Sequence, residues 1–136
     1  MSMKSLAFAD VAEGDELPAL DIPITTTAIV AGAIASRDYQ DVHHDAALAR
    51  QRGSKDVFMN ILTTNGYVGR FVTDWAGPAA IVQSVAIRLG APNYPGDTMR
   101  MTGQVSAVDG NVVTVAVRGA NDLGDHVTGT VTVTIP

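Results

Sequence analysis

Apolar and polar residues alternate through the C-terminal half of the chain. Met99, Met101, Val105 and Ala107 share one face of a run that ends in Asp109-Gly110-Asn111, and Val113, Val115 and Val117 resume the alternation beyond it. A period of two marks strands with one buried face, and Asp-Gly-Asn between two such runs marks a hairpin. After a turn at Leu123-Gly124-Asp125, Val127, Val131, Val133 and Ile135 alternate with Thr128, Thr130, Thr132 and Thr134. Residues 79–89 read as a further strand, followed by the loop GAPNYPG, and a short strand is expected near residues 20–26.

The period changes in the N-terminal half. TAIVAGAIA predicts a short helix over 27–35 capped by Thr27, and AALARQR predicts a second one ending at Gly53. In VFMNILTTNGYVGRFVTDW, Phe58, Ile61, Leu62, Val68, Val72 and Trp75 recur at three- and four-residue spacing, with Asn60, Thr63, Thr64, Arg70 and Asp74 as the polar stripe. This predicts a long helix capped by Ser54 or Asp56 and stopped by Gly77-Pro78. Gly66 and Gly69 inside it cost about 1 kcal/mol each against alanine, so close packing on a neighbouring backbone is expected there. One long helix before a series of one-sided antiparallel strands predicts an α+β fold, with the sheet wrapped around the helix. The threonine-rich outer face of the last strands suggests an edge that pairs with another subunit.

Composition narrows the function classes. At 136 residues the chain is expected to be one domain spanning 1–136. A net charge of −5 argues against a nucleic-acid partner. With no cysteine, disulfides, thiolate catalysis and zinc ribbons are excluded. The start of the chain does not read as a secretory signal, and the longest apolar run, AIVAGAIA, is too short to span a bilayer, so a cytoplasmic protein is expected.

The densest titratable stretch is RDYQDVHHD, residues 37–45, with three aspartates and two histidines. Asp38 and His43 are five residues apart, which on a regular helix leaves them about 140° apart around the axis. They meet only if the residues between them turn. Composition alone favours a solvated turn, in which Asp and His bond to local backbone. The alternative is an acid–base couple around one water, because histidine titrates near neutrality and a carboxylate beside it orients it or handles a second proton. His43, His44 and Asp45 as metal ligands are disfavoured, since adjacent histidines point apart and no third cluster is present.

Asp-x-x-x-x-His, with an acid two positions on, then a short helix, a glycine and a long helix, resembles the hydratase motif of MaoC-like (R)-specific enoyl-CoA hydratases. Those enzymes have the hot-dog fold, an antiparallel sheet around one long central helix. DVHHD, GSKDVFMNILT, RFVTDWAGP and LGDHV together are similar to the small catalytic subunit of actinobacterial heteromeric steroid enoyl-CoA hydratases. The resemblance runs from about Ala35 to Val127.

It implies reversible addition of water to a trans-2-enoyl-CoA, giving a 3-hydroxyacyl-CoA, in steroid side-chain degradation. Asp38 and His43 correspond to the family's catalytic pair, with acid and base unassigned. The backbone N–H of Ile61 corresponds to the donor for the thioester oxygen. The family's His-Gly pair aligns with Asn60-Ile61, and its usual Asn-Pro with Gln40-Asp41, so the turn is built differently. Asn60 and Arg37 are candidate substrate contacts, and Arg37, Lys55, Arg70 and Arg88 are candidates for the CoA phosphates. No metal and no cofactor is implied, CoA being part of the substrate. The implied partner is a second hot-dog subunit, in a heterodimer or heterotetramer, that in this branch often carries an OB-fold-like domain. Competing readings are a hot-dog thioesterase, for which the long helix offers only Asp56 and Asp74 at its ends, and a non-catalytic subunit that shapes a partner's pocket. Tyr67 and Tyr94 are possible pocket residues, Trp75 a core or interface residue, His44 an exposed or supporting one, and His126 a satisfied turn residue.

Overall fold

The structure is a computed structural model that describes residues 4–136. Strand β1 (Glu16–Pro23) leads into helix α1 (Thr26–Ala35), a 3-10 turn at Asp41–His43, the short helix α2 (Ala46–Gln51) and the long helix α3 (Ile61–Ala76). Four strands follow: β2 (Ile81–Leu89), β3 (Thr98–Asp109), β4 (Val112–Asn121) and β5 (Gly124–Thr134). They join β1 in one antiparallel sheet of order β1-β3-β4-β5-β2.

The sheet closes around α3 as the alternation requires. Val68, Phe71, Val72 and Ala76 on the inner face of α3 are buried. They belong to one core with Met99, Met101, Val105, Val113, Val115, Val117, Val127, Val131 and Val133 from the strands. Small residues set how close the layers come. A Cβ on Gly103 would lie 2.9 Å from the Phe71 ring. The β3–β4 hairpin forms where expected, with Asp109 opposite Val112 and Gly110 at φ 60°.

Several boundaries differ from the periodicity. Strand β1 starts earlier than expected, and Thr26 belongs to α1, which Thr25 caps by accepting from Ala28 N–H at 3.0 Å. A bulge between Val105 and Ala107 moves Ala107 to the exposed side and turns Val108 toward the core. The threonine-rich strand β5 is internal, flanked by β4 and β2. Its outer hydroxyls meet β2 side chains, with Gln83 Nε2 donating to Thr134 Oγ1 at 3.0 Å. The edges are β1 and β2, and β2 leaves Ile81, Val82 and Leu89 exposed.

The largest correction concerns α3. Its first residue is Ile61, capped by Asn60, whose Oδ1 accepts from Thr63 N–H at 3.1 Å. Residues 54–60 lie outside the helix, and loop partners take two of their backbone donors. Phe58 N–H donates to Val42 O at 3.3 Å and Met59 N–H to Asn93 O at 3.1 Å. Val57 and Met59 are each 2% exposed, whereas Ile61 and Leu62 on the first turn are 46% and 49% exposed. Nor do Gly66 and Gly69 pack on a backbone, since a Cβ built at either position meets nothing within 4 Å.

The revised start is testable by truncation. Met59→Ala is expected to lower the unfolding free energy by about 2–5 kcal/mol, as for a buried methionine, while Leu62→Ala changes it by within about 0.5 kcal/mol. Urea unfolding of the two variants against the parent chain measures both. A helix beginning at residue 54 or 56 predicts comparable losses.

Candidate active site

Asp38 is placed by the way α1 ends. Ser36 caps the helix, and Arg37 takes the left-handed conformation at φ 59°. Arg37 N–H donates to Ile34 O at 3.1 Å and Asp38 N–H to Ala33 O at 2.9 Å. This is the Schellman pattern, which normally uses glycine at the left-handed position. An arginine there costs about 1–2 kcal/mol and delivers Asp38 at a fixed angle off the helix end. Gln40 N–H reaches back to Asp38 Oδ1 at 3.4 Å. The 3-10 turn at Asp41–His43 then reverses the chain, and Asp45 opens α2 by accepting from Leu48 N–H at 3.1 Å.

His43 returns to Asp38 through this turn. His43 Nε2 lies 3.3 Å from Asp38 Oδ2, with the His43 side chain 7% and the Asp38 side chain 23% exposed. The other ring nitrogen, Nδ1, is 2.7 Å from the carbonyl oxygen of Phe58. A carbonyl only accepts, so Nδ1 carries the hydrogen and Nε2 is the nitrogen free to gain or lose a proton. The Phe58 ring packs edge-on against the imidazole, with centroids 5.0 Å apart. An ionised carboxylate and a bare Nε2 present only lone pairs to each other. The pair therefore holds one proton, or one water that donates to both.

Asn60 closes the site from the start of α3. It is 2% exposed, and its Nδ2 donates to Asp38 Oδ2 at 3.1 Å and to Ser36 Oγ at 2.9 Å. Its Oδ1 accepts from Thr63 N–H at 3.1 Å and from Thr63 Oγ1 at 2.5 Å. Helix α1 comes close enough because residue 32 is glycine: a Cβ there would lie 2.9 Å from Thr63 Cγ2. The first N–H of α3, that of Ile61, has no acceptor among the described residues, which is usual for the first turn of a helix. A groove of about 410 Å³ runs between α1 and α3, from Ser36 and Thr63 past Gly66 to Tyr67 and Arg70.

The remaining candidates are dispersed. Arg37 is exposed. Arg70 pairs with Asp74 at 3.3 Å, and Lys55 lies 5.4 Å from the centre of the Tyr94 ring. His44 Nε2 is 3.3 Å from Tyr39 O and Asp45 caps α2, so neither converges on His43. The Arg52 guanidinium, 2.8 Å from Asp41 Oδ2, holds that half-buried carboxyl below its ordinary range. Nothing in the sequence pattern pointed to Ser36, Thr63, Thr64 or the Phe58 carbonyl. Hydroxyls at the end of one helix and the first turn of another were the available signal.

His126 lies in strand β5, buried behind the first turn of α3, rather than in a turn. Its Nδ1 donates to Ala91 O at 2.7 Å, and Thr64 Oγ1 donates to its Nε2 at 2.8 Å. Burial pushes its pKa below the ordinary 6.5, partly offset by the Ala91 carbonyl and the Asp97 charge. The unfolded chain takes up a proton near 6.5 that the folded chain refuses, so this contribution to stability is complete above that pH and is lost progressively below it. His126→Gln is expected to flatten the fall of thermal stability between about pH 7 and pH 5. Parallel melts of parent and variant across that range check it, and equal slopes would refute the assignment.

The chain matches a family described as MaoC like domain over residues 9–126. It is 53% identical over 118 residues to the 3-oxo-4,17-pregnadiene-20-carboxyl-CoA hydratase beta subunit of Mycobacterium tuberculosis, covering 87% of this chain and 92% of that one. A chain of the ChsH1-ChsH2 complex from the same organism superposes with a TM-score of 0.90 at 50% identity, over 92% of this chain and 98% of the other. The R-hydratase PhaJ1 of Pseudomonas aeruginosa shares the fold, with a TM-score of 0.89 at 22% identity, over 97% and 86% of the two chains.

Proposed function

The chain belongs to the MaoC-like family, and we propose that within it the chain is the catalytic subunit of an enoyl-CoA hydratase. It adds water to a trans-2-enoyl-CoA to give a 3-hydroxyacyl-CoA. The observation that carries this reading is the Asp38–His43 pair, 3.3 Å apart, with His43 Nδ1 committed to the Phe58 carbonyl. All proton exchange on the histidine then runs through Nε2, the atom that faces the carboxylate.

The chemistry follows from that arrangement. A water held between Asp38 Oδ2 and His43 Nε2 loses its proton to one of them as its oxygen bonds to C3 of the enoyl group. The other, which carries the pair's one proton beforehand, delivers it to C2. The protein's proton count is unchanged over the turnover. Negative charge grows on the thioester oxygen as C3 is attacked. The open N–H of Ile61, at the positive end of α3, is the donor proposed to stabilise it. Arg37, beside Asp38 and exposed, is the proposed contact for the CoA portion.

Substrate and partner rest on the relatives. The Mycobacterium tuberculosis protein is named for a steroid-derived carboxyl-CoA and as a beta subunit. A steroid side-chain enoyl-CoA is accordingly the proposed substrate here, in the cytoplasm. The proposed partner is a second hot-dog subunit, with or without an OB-fold-like domain. The exposed Ile81, Val82 and Leu89 on edge strand β2 offer it an apolar, hydrogen-bonding margin. The thioesterase reading is weaker, because Asp74 pairs with Arg70 and Asp56 precedes α3 altogether.

Asp38→Asn and His43→Ala are each expected to lower kcat/KM for enoyl-CoA hydration by about 10²–10⁴-fold, with assembly on the partner intact. Loss of enoyl absorbance with crotonyl-CoA and a steroid enoyl-CoA, together with size-exclusion of the complex, measures both. Turnover retained in both variants would overturn the reading.

A further inference from the structure

Asn60 has no open hydrogen-bonding position for a ligand, and we infer that it is a positioning residue, which holds the Asp38 carboxylate on His43 and ties it to the start of α3. An amide has two N–H donors and an oxygen with two lone pairs. All four are used inside the protein. The donors go to Ser36 Oγ at 2.9 Å and Asp38 Oδ2 at 3.1 Å, and the oxygen takes Thr63 N–H and Thr63 Oγ1. Exchanging the amide oxygen and nitrogen would set donors against Thr63 N–H and lone pairs against the carboxylate, so the orientation is determined by its surroundings. At 2% exposure the side chain has no face turned to substrate. This replaces the expectation that Asn60 contacts the substrate.

The oxygen that Asn60 holds is the one that faces His43. Asp38 Oδ2 receives the Asn60 amide and lies 3.3 Å from His43 Nε2, while among the described residues Oδ1 receives only Gln40 N–H at 3.4 Å. Without the amide, the Asp38 carboxylate keeps its covalent link to the end of α1, that one long bond and the contact with His43 itself. Ser36 is fixed in turn, its hydroxyl donating to Gly32 O at 2.7 Å. One buried amide thus joins three elements: the end of α1, the loop that carries Asp38, and the first turn of α3.

The inference rests on the hydratase reading for its kinetic arm, and a structural arm is independent of it. Asn60→Asp and Asn60→Ser both keep an N-cap that accepts from Thr63 N–H, and both remove the amide donors. In the full chain with its partner, kcat is expected to fall by about 10–100-fold in each variant. KM for the enoyl-CoA stays within about twofold, since no substrate contact is lost. Tm stays within about 4 °C in Asn60→Ser, while Asn60→Asp, which buries a second carboxylate against Asp38, falls further. Crystal structures of the variants are expected to show the Asp38 carboxylate displaced from His43, most in Asn60→Asp, where two carboxylates face each other.

A raised KM with unchanged kcat would make Asn60 a substrate contact and overturn the inference. So would Asp38 staying against His43 with full kcat, or activity lost only in step with a collapse of Tm in Asn60→Ser. If the parent complex hydrates no enoyl-CoA, the hydratase reading fails in that control. The position of Asp38 in the variant crystals then still decides the role of Asn60.

Discussion

The bond from His43 Nδ1–H to the carbonyl of Phe58, 2.7 Å long, is the constraint on which the site depends. It requires that carbonyl to be free. Inside a helix it would accept the N–H four residues on, that of Leu62. Residues 57–60 lie outside the helix instead, ending in an extended Asn60 (φ −79°, ψ 161°), and much follows from that. Val57 and Met59 enter the core, Phe58 lays its ring edge against the imidazole, and Asn60 becomes the cap of α3. The helix then opens at Ile61 with its first N–H unused.

Two ties keep the start of α3 in register with the rest. On one side Gly32 lets α1 approach Thr63, so that Ser36 and Asp38 reach Asn60. On the other, Thr64 is bonded to His126 in β5, whose ring is anchored by Ala91 O. A desolvated histidine thus braces the helix from behind, while His43, facing Asp38, keeps one nitrogen available for chemistry. The two histidines differ in what their second nitrogen meets. For His126 it is a hydroxyl, and for His43 a partly exposed carboxylate.

Strand alternation was legible because burial repeats the same choice at every second residue, and Val113, Val115 and Val117 of β4 and Val127, Val131 and Val133 of β5 occupy the inner face as expected. The hairpin at Gly110 was legible because its backbone angle favours glycine. The candidate pair was legible only through its motif: Asp38 and His43 face apart on any regular helix. An arginine in the left-handed position, which no propensity favours, ends α1 just before Asp38, and the 3-10 turn at Asp41–His43 brings His43 back to it. The start of α3 was not legible, since Phe58, Ile61 and Leu62 fit a helical stripe although only Ile61 and Leu62 enter the helix, and those two are exposed. The bulge after Val105 and the open surroundings of Gly66 and Gly69 depend on neighbours distant in the chain, which local spacing does not encode.

The central claim is that this chain, with its partner, adds solvent water across a carbon–carbon double bond. Turnover of an enoyl-CoA in ¹⁸O-labelled heavy water, followed by mass spectrometry of the product, tests it most directly. The account predicts a 3-hydroxyacyl-CoA with ¹⁸O on C3, one deuterium on C2 and the thioester intact. Free CoA thiol with ¹⁸O in a released carboxylate would contradict it.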